Sequence, residues 1–230
     1  MFDYLGREPR QLDVFASDVK LTGTDKLDLI KNAWGKVLGK QTTFKNQKQL
    51  ADKLAEIINK EKEKGECCIR SLTINSHGSL NYGGIIFSNG SNDENDAEFL
   101  NQDVHGEQLG KLLKPHMCKP CQINLAGCAA LGDDSWDNVN VGKVDGANGR
   151  GFARKLAQSS GCSVLGNSIG VNVVGADNEA RWGNTKQQDL IQIDPNGTER
   201  SLLNSGRLGT INPASAAGIA PWPNALPPIR

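Results

Sequence analysis

The chain has 230 residues, and its 26 basic and 26 acidic side chains leave no net charge at neutral pH. That length suits one α/β unit rather than two domains, and the balanced charge without a basic block argues against nucleic acid or an anionic membrane as partner. No apolar run approaches the roughly 18–20 residues that span a bilayer. The opening stretch "MFDYLGREPRQLDVFASD" carries charges where an export signal needs its apolar core. Six cysteines, two of them adjacent at Cys67-Cys68, are few for a disulfide scaffold. They read as mostly reduced thiols, in a cytoplasmic chain or one exported without a classical signal.

In chain order, residues 1–45 are expected to pack on or enter the sheet of a unit spanning 46–205, with a Pro-rich tail over 206–230. "NQKQLADKLAEIINKEKEKG" (46–65) is the clearest helix, with Leu50, Leu54, Ile57 and Ile58 on one face and Gly65 placed to stop it. A strand follows, in which Arg70, Leu72 and Ile74 alternate with Ser71 and Thr73 and which ends at Ser76-His77-Gly78. "YGGIIFSNG" reads as a second short strand, and the acidic stretch 91–103 as a loop. Residues 106–115 form a short helix ended by Pro115, and "CQINLAGCAA" (121–130) a compact strand. Residues 133–149 read as a long surface loop, 150–161 as a helix closed by Gly161, and 162–175 as β-rich. Asp194-Pro195-Asn196-Gly197 sits at the turn of a C-terminal hairpin. This alternation predicts a mainly parallel sheet covered by helices.

In such sheets, functional side chains gather beyond the carboxyl ends of strands. Two strands end in reactive residues, one at Ser76-His77-Gly78 and the other at Ala126-Gly127-Cys128-Ala129. If the two are neighbours, His77 meets Cys128, and an imidazolium stabilises the thiolate that acts as nucleophile. The N–H groups of Gly78 and Cys128 would then hold a developing oxyanion, and Gly127 would allow the bend that presents the thiol.

A strand ending in "SHG", about fifty residues before one ending in "AGCAA", then "FARKLAQSSG" and "CSVLG", resembles the caspase/gingipain-type cysteine peptidases, especially their bacterial caspase-like relatives. The likeness spans about residues 50–175. It implies a caspase-like, mainly parallel sheet sandwiched by helices. It further implies hydrolysis of peptide bonds in protein or peptide substrates through an acyl-enzyme. In that reading His77 is general base and acid, Cys128 the nucleophile, and Gly78 and Cys128 the oxyanion donors. The charged opening stretch and the Pro-rich tail motivate the expectation of a bacterial effector or processing protease. Animal caspases have Gln-Ala-Cys where this chain has Ala126-Gly127-Cys128, so their preference for Asp does not carry over.

Asp133 and Asp134 follow the nucleophile and are candidates for binding a basic substrate side chain, against the plainer reading of a solvated loop. "GNSIG" (166–170) matches a hydrolase elbow at Ser168, but that fold needs a histidine after the serine and all three histidines precede it. Asn167 and Ser168 are better placed as polar lining of the substrate site. His116, Cys118 and Cys121 have zinc-like spacing without an evident fourth ligand, and His105 reads as a solvated loop residue. No metal or cofactor is expected. The same residues also fit a non-catalytic caspase-like protein-binding module, or a Cys-His amidase or deamidase acting on a non-peptide amide. A zinc-stabilised binding domain is a further alternative.

Overall fold

The computed structural model describes residues 9–19, 40–78, 83–91, 94–127, 130–132, 148–167 and 190–201. Strands β1 (Arg10–Asp18) and β2 (Lys40–Phe44) precede helix α1 (Gln47–Lys62) and the long strand β3 (Cys67–Asn75). Three short strands follow, β4 (His77–Gly78), β5 (Ile85–Phe87) and β6 (Glu98–Leu100). Then come α2 (Asp103–Leu113), β7 (Met117–Leu125), α3 (Gly149–Ser160), β8 (Ser163–Asn167), β9 (Leu190–Ile193) and β10 (Glu199–Ser201). The main sheet has seven strands in the order β10-β9-β8-β7-β3-β1-β2. Its five strands from β2 to β8 run parallel, and β9 and β10 are antiparallel additions at one edge. A separate antiparallel sheet holds β4-β5-β6.

The connections from β2 to β3, β3 to β7 and β7 to β8 all step the same way across the sheet. Right-handed crossovers therefore set α1, α2 and α3 on one face. That face is apolar: Val14, Ala16, Ile69, Leu72, Ile74, Ile123, Leu125, Val164, Ile191 and Ile193 are all buried. Asn46 caps α1 by accepting from the Gln49 N–H at 2.9 Å, and Glu98 of β6 accepts from the Gln47 backbone and side chain at the same helix end. Helices α2 and α3 touch almost backbone to backbone, because a Cβ on Gly106 would overlap the Phe152 carbonyl oxygen.

The opposite face is polar. Rows of laterally paired residues include Asp13–Ser71–Gln122–Ser163 and, one step on, Phe15–Thr73–Asn124–Leu165–Gln192. Asn124 donates to Thr73 Oγ1 at 3.1 Å and to Ser71 Oγ at 3.3 Å, Gln122 donates to Asn124, and Asn75 donates to Ser17 at 3.0 Å. A register shift between Ile69 and Ser71 turns Arg70 out to Asp13, so Arg70 does not share the face of Leu72 and Ile74 as simple alternation predicts.

Four further expectations change. The stretch 91–103, read as a loop, contains strand β6 and a 3-10 turn at Glu94–Asp96. His105, read as a loop residue, lies in the first turn of α2 with its Nδ1 buried and unpaired. The strand read as beginning at residue 121 begins at Met117, across the cis Lys119–Pro120 peptide. Four of the six cysteines are not reduced: Cys68 pairs with Cys118 and Cys121 with Cys162. Spacing could not reveal this, since the partners stand 50 and 41 residues apart and meet only once β3, β7 and β8 align. In the chain-entropy view, loops of that size stabilise the fold by about 4 kcal/mol each.

A buried carboxylate joins the starts of β1 and β2 to the end of α1. Glu61 is paired with Arg10, with Lys40 at 2.7 Å and with Lys64 at 3.7 Å. The hydrogen bond from Lys40 leads in lowering its pKa to about 2, outweighing the opposing effect of burial. Because the folded value lies below the unfolded one near 4.5, this contribution is complete above pH 4.5 and is lost as pH falls towards about 2. Glu61→Gln should therefore lower stability at pH 7 and flatten the acid limb of a denaturation-midpoint profile between those values. An unchanged acid limb would count against the cluster. For Gly106→Ala, helix propensity favours the variant by about 1 kcal/mol, whereas overpacking typically costs about 1–3 kcal/mol and more against rigid backbone. A net loss of about 1–3 kcal/mol is expected in urea titrations.

Candidate active site

β3 and β7 are adjacent parallel strands, with Ile74 opposite Leu125. Just beyond the last pair, the Ala126 N–H donates to the Ile74 carbonyl at 2.9 Å. At Gly127 the two chains come closer still: a Cβ there would lie 3.3 Å from both the Gly78 nitrogen and the Ser76 carbonyl oxygen. Gly127 thus sits against the Ser76-His77-Gly78 segment, and Cys128 is the next residue in the chain. Cys128 itself, with Ala129, lies outside the described residues.

On the far side of that pair the chain is gripped again. The Ala130 carbonyl accepts from the Gly84 N–H at 2.9 Å, and the Gly132 carbonyl from the Gly149 N–H at 2.7 Å. Gly83 and Gly84 adopt φ of +66° and +75°, a region that favours glycine, and a side chain on Gly83 would overlap the Gly132 carbonyl. The glycines before β5 therefore let the small sheet press its backbone onto residues 130–132.

His77 belongs to β4, whose two residues pair with β5 as His77–Ile86 and Gly78–Ile85. Its side chain is exposed, while Ser76 and Asn75 before it are buried. The small sheet is anchored from behind by Asp18, a fully buried carboxylate at the end of β1. Asp18 accepts from the Ser88 N–H at 2.7 Å and from the Ser88 hydroxyl, directly after β5. Phe44 and Phe87 meet edge to face with ring centroids 4.7 Å apart, tying β2 to the same strand. Asp18 was not among the candidates drawn from the sequence; an acid closing an otherwise apolar strand end was the available signal.

The remaining candidates fall as follows. Asp133, Asp134 and Ser168 lie outside the described residues, as does the side chain of Asn167, the last residue of β8. Cys118 and Cys121 are consumed by disulfides, so the zinc-like spacing with His116 offers no free thiolates. His116 lies in a 3-10 turn at Lys114–His116, where burial lowers its pKa and favours the neutral ring. Among the described residues no group of three or more metal-ligating side chains assembles, and no helix is long and apolar enough to cross a membrane.

No protein-family model, curated protein or solved structure matches the chain.

Cys67 is free and buried, its thiol directed at the Ile58 carbonyl 3.6 Å away. With four cysteines in disulfides, Cys67 and Cys128 are the two left. Alkylation of the unfolded, unreduced protein should mark those two cysteines and no others, and reduction should open all six, as read by peptide mass spectrometry. Recovery of free Cys68, Cys118, Cys121 or Cys162 before reduction would refute the pairing.

Proposed function

We propose that the protein is a cysteine endopeptidase with a His77–Cys128 dyad on a caspase-like frame. One observation carries the reading: Gly127 packs against Ser76 and Gly78, at the carboxyl ends of adjacent parallel strands. A residue following Gly127 therefore has only a short path to His77. Both flanks of the Cys128-Ala129 pair are held by backbone hydrogen bonds, at Ala126 and at Ala130. That is the rigid support a nucleophile needs if its reach is not to vary.

In this mechanism His77 takes the Cys128 proton and the thiolate attacks the scissile carbonyl. The Gly78 and Cys128 N–H groups stabilise the oxyanion. The imidazolium protonates the departing amine, leaving a thioester. Water, deprotonated by the same imidazole, releases the acid and restores the thiol. Exposure of His77 at a strand end, rather than within the core, suits both proton transfers.

The two disulfides support a working environment outside the reducing cytosol, so we read the protein as acting in an oxidising compartment. Its substrates are then proteins or peptides met there.

Mixed-peptide cleavage, assayed without strong reductant, tests the reading. Cys128→Ala should abolish cleavage and labelling by a thiol-reactive probe. His77→Ala should slow cleavage by about 100- to 10,000-fold, the usual range for a lost general acid–base. Labelling of Cys128 that is slow and indifferent to His77, with no peptide cut, would leave a binding module instead. Turnover confined to non-peptide amides would make the protein an amidase.

A further inference from the structure

The register of the small sheet aligns three side chains with the proposed site. His77 of β4 lies opposite Ile86 of β5, and Ile86 lies opposite Phe99 of β6. Directly opposed residues of antiparallel strands project from the same face. The adjoining row, Gly78–Ile85–Leu100, projects from the other face, where Ile85 and Leu100 are buried in the core. The row with His77 consequently turns outward: His77 is exposed, Ile86 half-buried and Phe99 42% exposed. At about 4.8 Å per strand, it extends about 10 Å from the imidazole. A single exposed apolar side chain is ordinary. An exposed Phe99 beside a half-buried Ile86, both in register with the proposed general acid, makes an apolar strip that starts at the imidazole.

We propose that Ile86 and Phe99 form an apolar subsite for the residue just after the scissile bond, so that the substrates are polypeptides with a large apolar side chain there. The inference rests on the His77–Cys128 reading. Chemistry assigns the side. When the C–N bond breaks and the Cys128 sulfur holds the acyl carbon, the proton passes from the imidazolium to the leaving nitrogen. The residue attached to that nitrogen must then lie against whatever flanks the imidazole, and what flanks it in the sheet is Ile86, then Phe99.

The test uses peptides with one acyl part and either Leu, Phe, Gly or Asp after the scissile bond. The native protein should cleave the Leu and Phe peptides about 10- to 100-fold faster in kcat/KM than the Gly and Asp peptides, the range hydrophobic pockets give. Phe99→Ser and Ile86→Thr should level that preference, while alkylation of Cys128 by iodoacetamide proceeds at the native rate. Cleavage without preference, or a preference that survives both substitutions, overturns the subsite and leaves the peptidase intact. A second measurement does not need turnover. In Cys128→Ala, leucinamide should shift the His77 ring resonances saturably, glycinamide should not, and Phe99→Ser should remove the effect. If no peptide is cut and iodoacetamide labelling is indifferent to His77, the dyad reading fails. The leucinamide titration then decides the strip alone, and absence of a saturable shift overturns it.

Discussion

The site depends on the register between β3 and β7. A slip of one residue would reverse the faces of β3, sending Leu72 and Ile74 to the polar side and Thr73 and Asn75 into the helices. The alternation that buries the core therefore also fixes how far each strand runs before it stops. With Ile74 opposite Leu125, the last hydrogen bond between these strands among the described residues falls at Ala126, and Gly127 comes down on Ser76 and Gly78. Core burial and edge geometry are two results of one pairing.

The polar face reinforces the same register by a different means. A buried amide left without a partner costs about 1–3 kcal/mol, and Asn124, Gln122 and Asn75 are each at most 8% exposed. Asn124 and Asn75 find partners only because their neighbours are in step: Asn124 reaches across to Thr73 and Ser71, and Asn75 to Ser17, while Gln122 donates to Asn124 along its own strand. Asp194 closes the array beyond β8. Its burial works to raise its pKa, but hydrogen bonds from Gln192 and Ser163 together with Arg200 outweigh it, and the carboxyl is held below its usual range. A shifted sheet would strand several of these groups at once. Such a face is less forgiving of misalignment than an apolar one, in which side chains slide at smaller cost.

The parts visible in the sequence are those set by local periodicity. The face of Leu50, Leu54 and Ile58 defines α1, and Phe152, Ala153, Leu156 and Ala157 define the buried stripe of α3, closed by Gly161 at φ +75°. The hairpin about Gly197 was equally local. Parallel order followed from alternation of elements. What stayed hidden depends on tertiary meeting. Strand β6 is three residues in an acidic stretch and exists because β5 offers it an edge. The disulfide partners are neighbours only across strands. Asp18 has a role only once β5 arrives beside β1. The convergence of Gly127 on Ser76 and Gly78 was legible in outline, as two strands ending in Gly-flanked reactive residues, though nothing local said that those strands were adjacent.

Position along the strands separates two uses of sulfur. Cys68 and Cys118 cross-link β3 and β7 near their amino ends, and Cys121, midway along β7, is joined to Cys162 just before β8. Cys128 follows the carboxyl end of β7, so strand length puts roughly 30 Å between Cys68 and the edge at His77, and roughly 20 Å between Cys121 and the same edge at Gly127. At those distances a thiolate at the edge cannot attack either bridge by thiol–disulfide exchange, which needs sulfur atoms in contact. Cys67 is kept from its neighbouring bridge differently: it points to the helix side, towards Ile58, while Cys68 pairs with Cys118. On the proposed reading, a chain that folds with disulfides and also carries a reactive thiol needs both separations, and the strand length supplies the larger one. The parallel pair β3–β7 thus serves at one end as the cross-linked foundation of the sheet and at the other as the support for the proposed dyad, with the polar rows between them keeping the two ends in step.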